Sequence, residues 1–300
     1  MQRQKRILTL DGGGVRGLSS LLILRKLLCL INVELTGGDL PVAAKDVFDL
    51  IAGTSTGGLI TLMLVKLDMT IDECIAEYQV LARHIFMHQS RYGRWTGGLG
   101  KTRYSGDKLV SKVRALIRSK GLDEDMKMTD NVDSNGNQQK LKTICSVICR
   151  ELGGDWGRAR IDDPVLLCSD HCHAKSEYSH LICTVCDAAR ATSAAPTYFP
   201  EYQLFDHVLV DGAYGNTNNP SHAVLGHFQD WLRLTSRHPQ PVMMVNIGTV
   251  TMPKGTELRV PVQKRPLWTY LMPKLLLDGF RITRDLSEMA TECEGVGKLM

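Results

Sequence analysis

The sequence has no stretch approaching the roughly 18 uncharged apolar residues that a bilayer-crossing helix needs, so no transmembrane helix is expected. No secretory leader is expected either. The opening MQRQKRILTLDGGG is basic, but its apolar run stops almost at once at an aspartate and three glycines, so a cytoplasmic protein is expected. No disulfide framework is apparent: nine cysteines, an odd number, are scattered over 300 residues and suit reduced thiols. Strong charge of one sign is missing too. The net charge is +4, and the 36 Lys and Arg residues are dispersed apart from a cluster at Arg3, Lys5 and Arg6. That balance gives no reason to expect nucleic acid as a partner and allows a weak attraction to anionic lipid. There is no EF-hand loop, no acidic calcium-binding cluster, no internal repeat and no linker dividing the chain.

What is present is a chain with 43% hydrophobic residues, enough for a sizeable core. Apolar runs of strand length alternate with stripes of helical period. RILTL, VFDLIAG, KTICSVICR, PVLLCS, HVLVDG and PVMMVNIGTV read as strands. Between them, residues 18–35, 58–67, 70–90, 106–119 and the Ala-rich stretch at CDAARATSAAP read as helices, with Thr70 and Glu73 placed for a capping box. This alternation predicts a three-layer α/β/α fold with a mostly parallel central sheet. A single domain over 1–300 is expected, with its motif-bearing core at about 6–250 and a C-terminal helical segment at about 262–300.

Three short motifs carry chemistry. GTSTG puts Ser55 between Gly53 and Gly57, after an apolar strand and before an apolar helix. A strand-to-helix turn of this kind projects a serine clear of the backbone, and small neighbours let the chain fold tightly around it. The helix beginning there also sets its positive end near any developing negative charge. DGGGVRG, with Gly12, Gly13, Gly14, Arg16 and Gly17, joins a strand to a helix and leaves backbone N–H groups for a phosphate or an oxyanion. It also fits a dinucleotide fingerprint, with Glu34 near the spacing of a ribose ligand, but Glu34 continues a helical stripe instead of ending the next strand. VDGAYG sets Asp211, Gly212 and Ala213 directly after a strand, where a partly desolvated carboxylate can take a serine proton.

Together these motifs resemble the patatin-like phospholipase family, whose pattern is a glycine-rich oxyanion loop, a G-x-S-x-G elbow and a distant D-G-A or D-G-G. The similarity extends to AARATSAAPTYFP, NNP and VNIGT, over roughly residues 6–250, and its pattern is nearest the fungal multidomain type. The resemblance implies a calcium-independent lipid acyl hydrolase working through a Ser-Asp dyad without histidine. Ser55 would attack an ester carbonyl, Asp211 would take its proton, the N–H groups around Gly12 to Gly14 would hold the oxyanion, and water would release the fatty acid. Arg16 would fix the glycine loop or assist near phosphate. A phospholipid or glycerolipid substrate, peripheral membrane contact, and no metal or other cofactor follow from the same likeness. So does fusion to regulatory domains, in which case the domain would signal, with its activity gated by assembly.

Other patterns have plainer readings. Cys168, His171, Cys172, His173, His180, Cys183 and Cys186 invite zinc, but Ile182, Cys186 and Ala189 have the spacing of ordinary core. GGLGKT at 97–102 lacks the first glycine and the strand of a phosphate loop. The 91–104 stretch, with Arg91, Tyr92 and Trp95, reads equally as a cover over the site or as surface loop. His222, His227 and His238 follow Asp211 in the order of a Ser-His-Asp hydrolase, the nearest enzymatic rival.

Overall fold

The computed structural model describes residues 4–38, 41–86, 102, 104–131, 142–153, 158–159, 164–170, 182–196, 198–214, 217–235 and 242–249. Strand β1 (Lys5–Leu10) is flanked by two parallel neighbours, β2 (Leu50–Thr54) and β8 (Val242–Ile247). β2 is in turn parallel to β3 (Ile144–Gly153). Side chains alternate between the two faces of such a sheet, and both faces here are covered. Leu8, Leu10, Ile51 and Val147 join one core cluster, which includes α1 (Gly17–Thr36) and α3 (Thr56–Val65). Ile7, Leu50, Ala52 and Ile148 join the other, with Val224, Phe228 and Leu232 of α7 (Ser221–Thr235). The three layers expected from the sequence follow from this alternation.

Beyond β3 the sheet turns antiparallel. β5 (Val165–Cys168) and β7 (His207–Asp211) both pair with β3, β6 (Tyr202–Leu204) makes a hairpin with β7, and the two-residue β4 (Arg158–Ala159) pairs with the end of β3. β4 and β6 are too short to show an alternating pattern and were not expected from sequence. Nor was α2 (Ala44–Val47), a single helical turn that takes Val47 out of the strand read at VFDLIAG.

The remaining described helices are α4 (Ile71–Phe86), α5 (Gly106–Ser119) and α6 (Val185–Thr192). α4 starts with the expected capping box: Glu73 N–H donates to Thr70 Oγ1 at 3.2 Å, and Thr70 N–H donates to Glu73 Oε2 at 2.8 Å. α6 starts with another, from Thr184 and Asp187. No described helix is long and apolar enough to cross a membrane. The C-terminal segment at 262–300 lies outside the described residues, as does the 91–104 stretch apart from Thr102 and Tyr104.

Candidate active site

One residue, Ser55, separates the end of β2 from the start of α3. Its backbone sits at φ 55°, ψ −123°, a conformation that costs a residue with a side chain about 1–3 kcal/mol. A hydrogen-bond relay holds it there. Ser55 N–H donates to Thr192 Oγ1 at 2.8 Å, and the single Thr192 hydroxyl hydrogen goes to the Ile148 carbonyl at 2.7 Å. The two motif glycines are there because nothing larger fits. A Cβ on Gly53 would lie 2.2 Å from the Gly57 carbonyl, and one on Gly57 would lie 2.3 Å from the Leu10 carbonyl oxygen.

Register brings the aspartate to the serine. Thr54 pairs with Ile148 on β3, and Asp211 pairs with the next residue, Cys149. Asp211 is buried, and its carboxyl accepts hydrogen bonds from the Ser55 hydroxyl and, at 2.8 Å, from Ala213 N–H. Its own N–H donates to the Ala194 carbonyl at 3.0 Å. Burial pushes its pKa up to about 7, and the bonds from Ser55 and Ala213 pull it only partly back. Gly212 lies tight between strands: a Cβ there would be 2.9 Å from Ile148 Cγ2 and 3.1 Å from Thr54 Cγ2.

The glycine loop packs against the elbow. A Cβ on Gly12 would stand 3.0 Å from Ser55 Cβ and 2.5 Å from Asn218 Oδ1. Gly12 N–H donates to the Asn218 carbonyl at 3.2 Å, and Gly13 N–H donates to Thr56 Oγ1 at 3.1 Å. The Gly14 amide has no acceptor among the described residues, and Gly14 lines the pocket beside Ser55. Arg16 folds back on the loop: its N–H donates to the Gly13 carbonyl at 3.1 Å and its Nε donates to the same oxygen at 3.4 Å. Gly17 leaves room for Tyr78, whose hydroxyl donates to the Gly14 carbonyl and would be 2.4 Å from a Cβ at position 17.

Ser55 opens onto a pocket. Its walls are mainly apolar, from Leu59 of α3, Leu81 and Ala82 of α4, Leu109 of α5, and Tyr198 and Phe199. Three polar groups that matter here carried no readable sequence signal. Thr56 and Thr192 act through hydrogen bonds with residues far away in the chain, and Ser193 lines the pocket.

The rival patterns fall elsewhere. Glu34 is exposed on α1, as its helical stripe implied. His222 is exposed and His227 half-buried on α7, and neither lines the pocket; His238 lies outside the described residues. Cys183, Cys186 and Ala189 are buried as ordinary core, but Ile182 precedes the helix and is 50% exposed, so it does not share that stripe. Burial raises the thiol pKa of Cys183 to about 12. No group of metal-binding side chains occurs among the described residues, and 171–181 lie outside them.

A strained serine at a strand-to-helix elbow, bonded to a buried aspartate at the carboxyl ends of an α/β sheet, is a hydrolase-like arrangement. The family model described as "Patatin-like phospholipase" matches residues 8–225, and the chain belongs to that family. Calcium-independent phospholipase A2-gamma of Mus musculus is 31% identical over 72% of this chain. The chain covers 25% of that relative's length. The cGAMP-activated phospholipase of Escherichia coli is 28% identical over 82% of this chain and 62% of its own length, and patatin of Solanum tuberosum 25% identical over 72% and 50%. Among solved structures, VipD from Legionella pneumophila aligns over 96% of this chain and 67% of its own at 10% identity, with a TM-score of 0.41.

Proposed function

We propose that the protein is a serine lipid acyl hydrolase that cleaves fatty-acyl esters of phospholipids or related glycerolipids without calcium. The observation that carries this reading is the hydrogen bond from Ser55 to a buried Asp211 beside an apolar pocket. Asp211, ionised, takes the Ser55 proton as Oγ attacks the ester carbonyl carbon. The negative charge on the carbonyl oxygen is met by N–H groups of the loop at Gly12, Gly13 and Gly14, with the unoccupied Gly14 amide the readiest donor and Arg16 fixing the loop. Collapse of the tetrahedral intermediate expels the alcohol, which leaves with the proton held by Asp211. Water, deprotonated by the same carboxylate, then attacks the acyl carbon, and Ser55 Oγ leaves with that proton as the fatty acid is released. The pocket takes the acyl chain, and the protein meets its substrate by peripheral contact with a membrane from the cytoplasm.

A fluorophosphonate probe tests the nucleophile: it should label the wild-type protein and leave Ser55→Ala unlabelled, and a folded wild-type sample that does not label would end the hydrolase reading. Mass-spectrometric identification of products from a lipid panel, in chelator, then gives the head group and acyl position. Substituting His222, His227 and His238 singly should leave turnover in place. A loss matching that of Ser55→Ala would replace the dyad with a triad.

A second reading keeps the chemistry and adds control. One relative is named as activated by cGAMP, and the chain spans a quarter of the phospholipase A2-gamma relatives. On this reading the domain is the effector of a larger signalling protein, active when assembled, and turnover per molecule would rise with protein concentration. The nucleotide-module alternative has less behind it, since Glu34 is exposed on α1 instead of ending the next strand.

A further inference from the structure

Ser193 is 6% exposed, and its hydroxyl oxygen is buried with no hydrogen-bond partner among the described residues. Buried hydroxyls are almost always paired, because leaving one unmatched costs about 1–3 kcal/mol, so an orphan in a folded protein calls for an explanation. Its surroundings supply one. Ser193 lines the apolar pocket that Ser55 opens onto. The residue before it, Thr192, accepts the Ser55 N–H, and the residue after it, Ala194, accepts the Asp211 N–H. Ser193 is thus one residue from the backbone contacts that hold both Ser55 and Asp211. These neighbours set Ser193 close to Ser55 and Asp211 along the pocket wall.

We propose that Ser193 is a substrate-contacting residue whose hydroxyl donates a hydrogen bond to a carboxyl oxygen of the bound acyl group. The inference rests on the acyl-hydrolase reading. An ester or carboxylate offers acceptors and no donor, so the serine hydroxyl must be the donor. In an apolar pocket such a bond fixes which end of a lipid enters first: the carboxyl end finds a partner at Ser193, and the hydrocarbon end leaves the hydroxyl orphaned. It acts on binding and orientation, and no covalent step passes through it.

The test compares Ser193→Ala with the wild-type protein in hydrolysis of a short-chain ester and in thermal unfolding. It also compares Ser55→Ala with Ser55→Ala/Ser193→Ala in equilibrium binding of palmitate. Loss of one hydrogen bond should lower kcat/KM about threefold to tenfold and weaken palmitate binding by a similar factor. Removing a hydroxyl with no partner in the chain should leave Tm unchanged or slightly raised. Rescue should come from Ser193→Thr, which restores the hydroxyl. Full activity and unaltered palmitate affinity in the alanine variants would overturn the proposal, and so would a Tm loss that accounts for the activity loss. If the wild-type protein neither hydrolyses esters nor labels at Ser55, the hydrolase reading fails by itself, while the palmitate comparison still decides the role of Ser193.

Discussion

At the residue scale, the decisive quantity is the proton affinity of Asp211. Burial raises its folded-state pKa from 3.8 to about 7. A group raised in this way favours the folded state fully below its unfolded value, and that contribution is lost as pH rises through the folded value. Above pH 7 the native protein therefore carries a buried carboxylate at a penalty of up to about 4 kcal/mol relative to a neutral side chain. In the proposed dyad, that charge is also what would let Asp211 act as a base. Ester turnover should rise with pH through about 7, as kcat/KM measured against pH would show. Asp211→Asn should abolish turnover and yet melt several degrees above the wild type at pH 8, with the two converging near pH 4. An Asn variant that is active, or one no more stable at pH 8, would remove Asp211 from the role given to it. The sequence made Ser55 and Asp211 legible because each follows an apolar strand in a short motif. It did not reveal Thr56 on Gly13, or the orphan hydroxyl of Ser193, since a hydroxyl's partner depends on contacts that no local pattern encodes.

At the scale of elements, the elbow depends on α6 as much as on its own glycines. Thr192 ends α6 and bridges Ser55 N–H to the Ile148 carbonyl, so one side chain ties the Ser55 backbone to β3. Thr192→Val keeps the shape and removes both bonds, leaving two buried polar groups unmatched at about 1–3 kcal/mol each, with the strained Ser55 no longer held. Tm should fall, and the folded fraction should label more slowly with a fluorophosphonate. Thr192→Ser, which retains the hydroxyl, should restore both. A valine variant that labels at the wild-type rate would show that the elbow holds its shape unaided. This bridge joins residues 137 apart in sequence, which explains why sequence patterning located β2, α3 and α6 to within a few residues but not their connection. Long elements such as α1, α4 and β3 declare their period over several turns or pleats. The two-residue β4, the three-residue β6 and the one-turn α2 are too short to have one, and they are set by pairing and packing after the core has formed.

At the scale of the whole molecule, the same site should answer differently to substrates presented in different ways. A monomeric short-chain ester reaches Ser55 by diffusion, and its turnover depends on the pocket alone. A lipid in a bilayer requires the protein to meet a surface first, and on the proposed peripheral contact the chain's net charge of +4 would draw it weakly toward anionic lipid. Each basic residue near such a surface contributes about 1 kcal/mol at most, and the attraction fades beyond a screening length that shrinks from about 30 Å at 0.01 M salt to about 8 Å at 0.15 M. Raising salt over that range should therefore slow hydrolysis of lipids in anionic vesicles several-fold and reduce the protein that pellets with them. Hydrolysis of the soluble ester should barely change, and so should hydrolysis of lipids in neutral vesicles. The control separates surface from site: if the soluble ester slows to the same extent, salt acts on the pocket or on folding, and peripheral electrostatic contact is not what delivers the lipid. If neither substrate responds, the charge balance is incidental and delivery depends on apolar contact with the membrane.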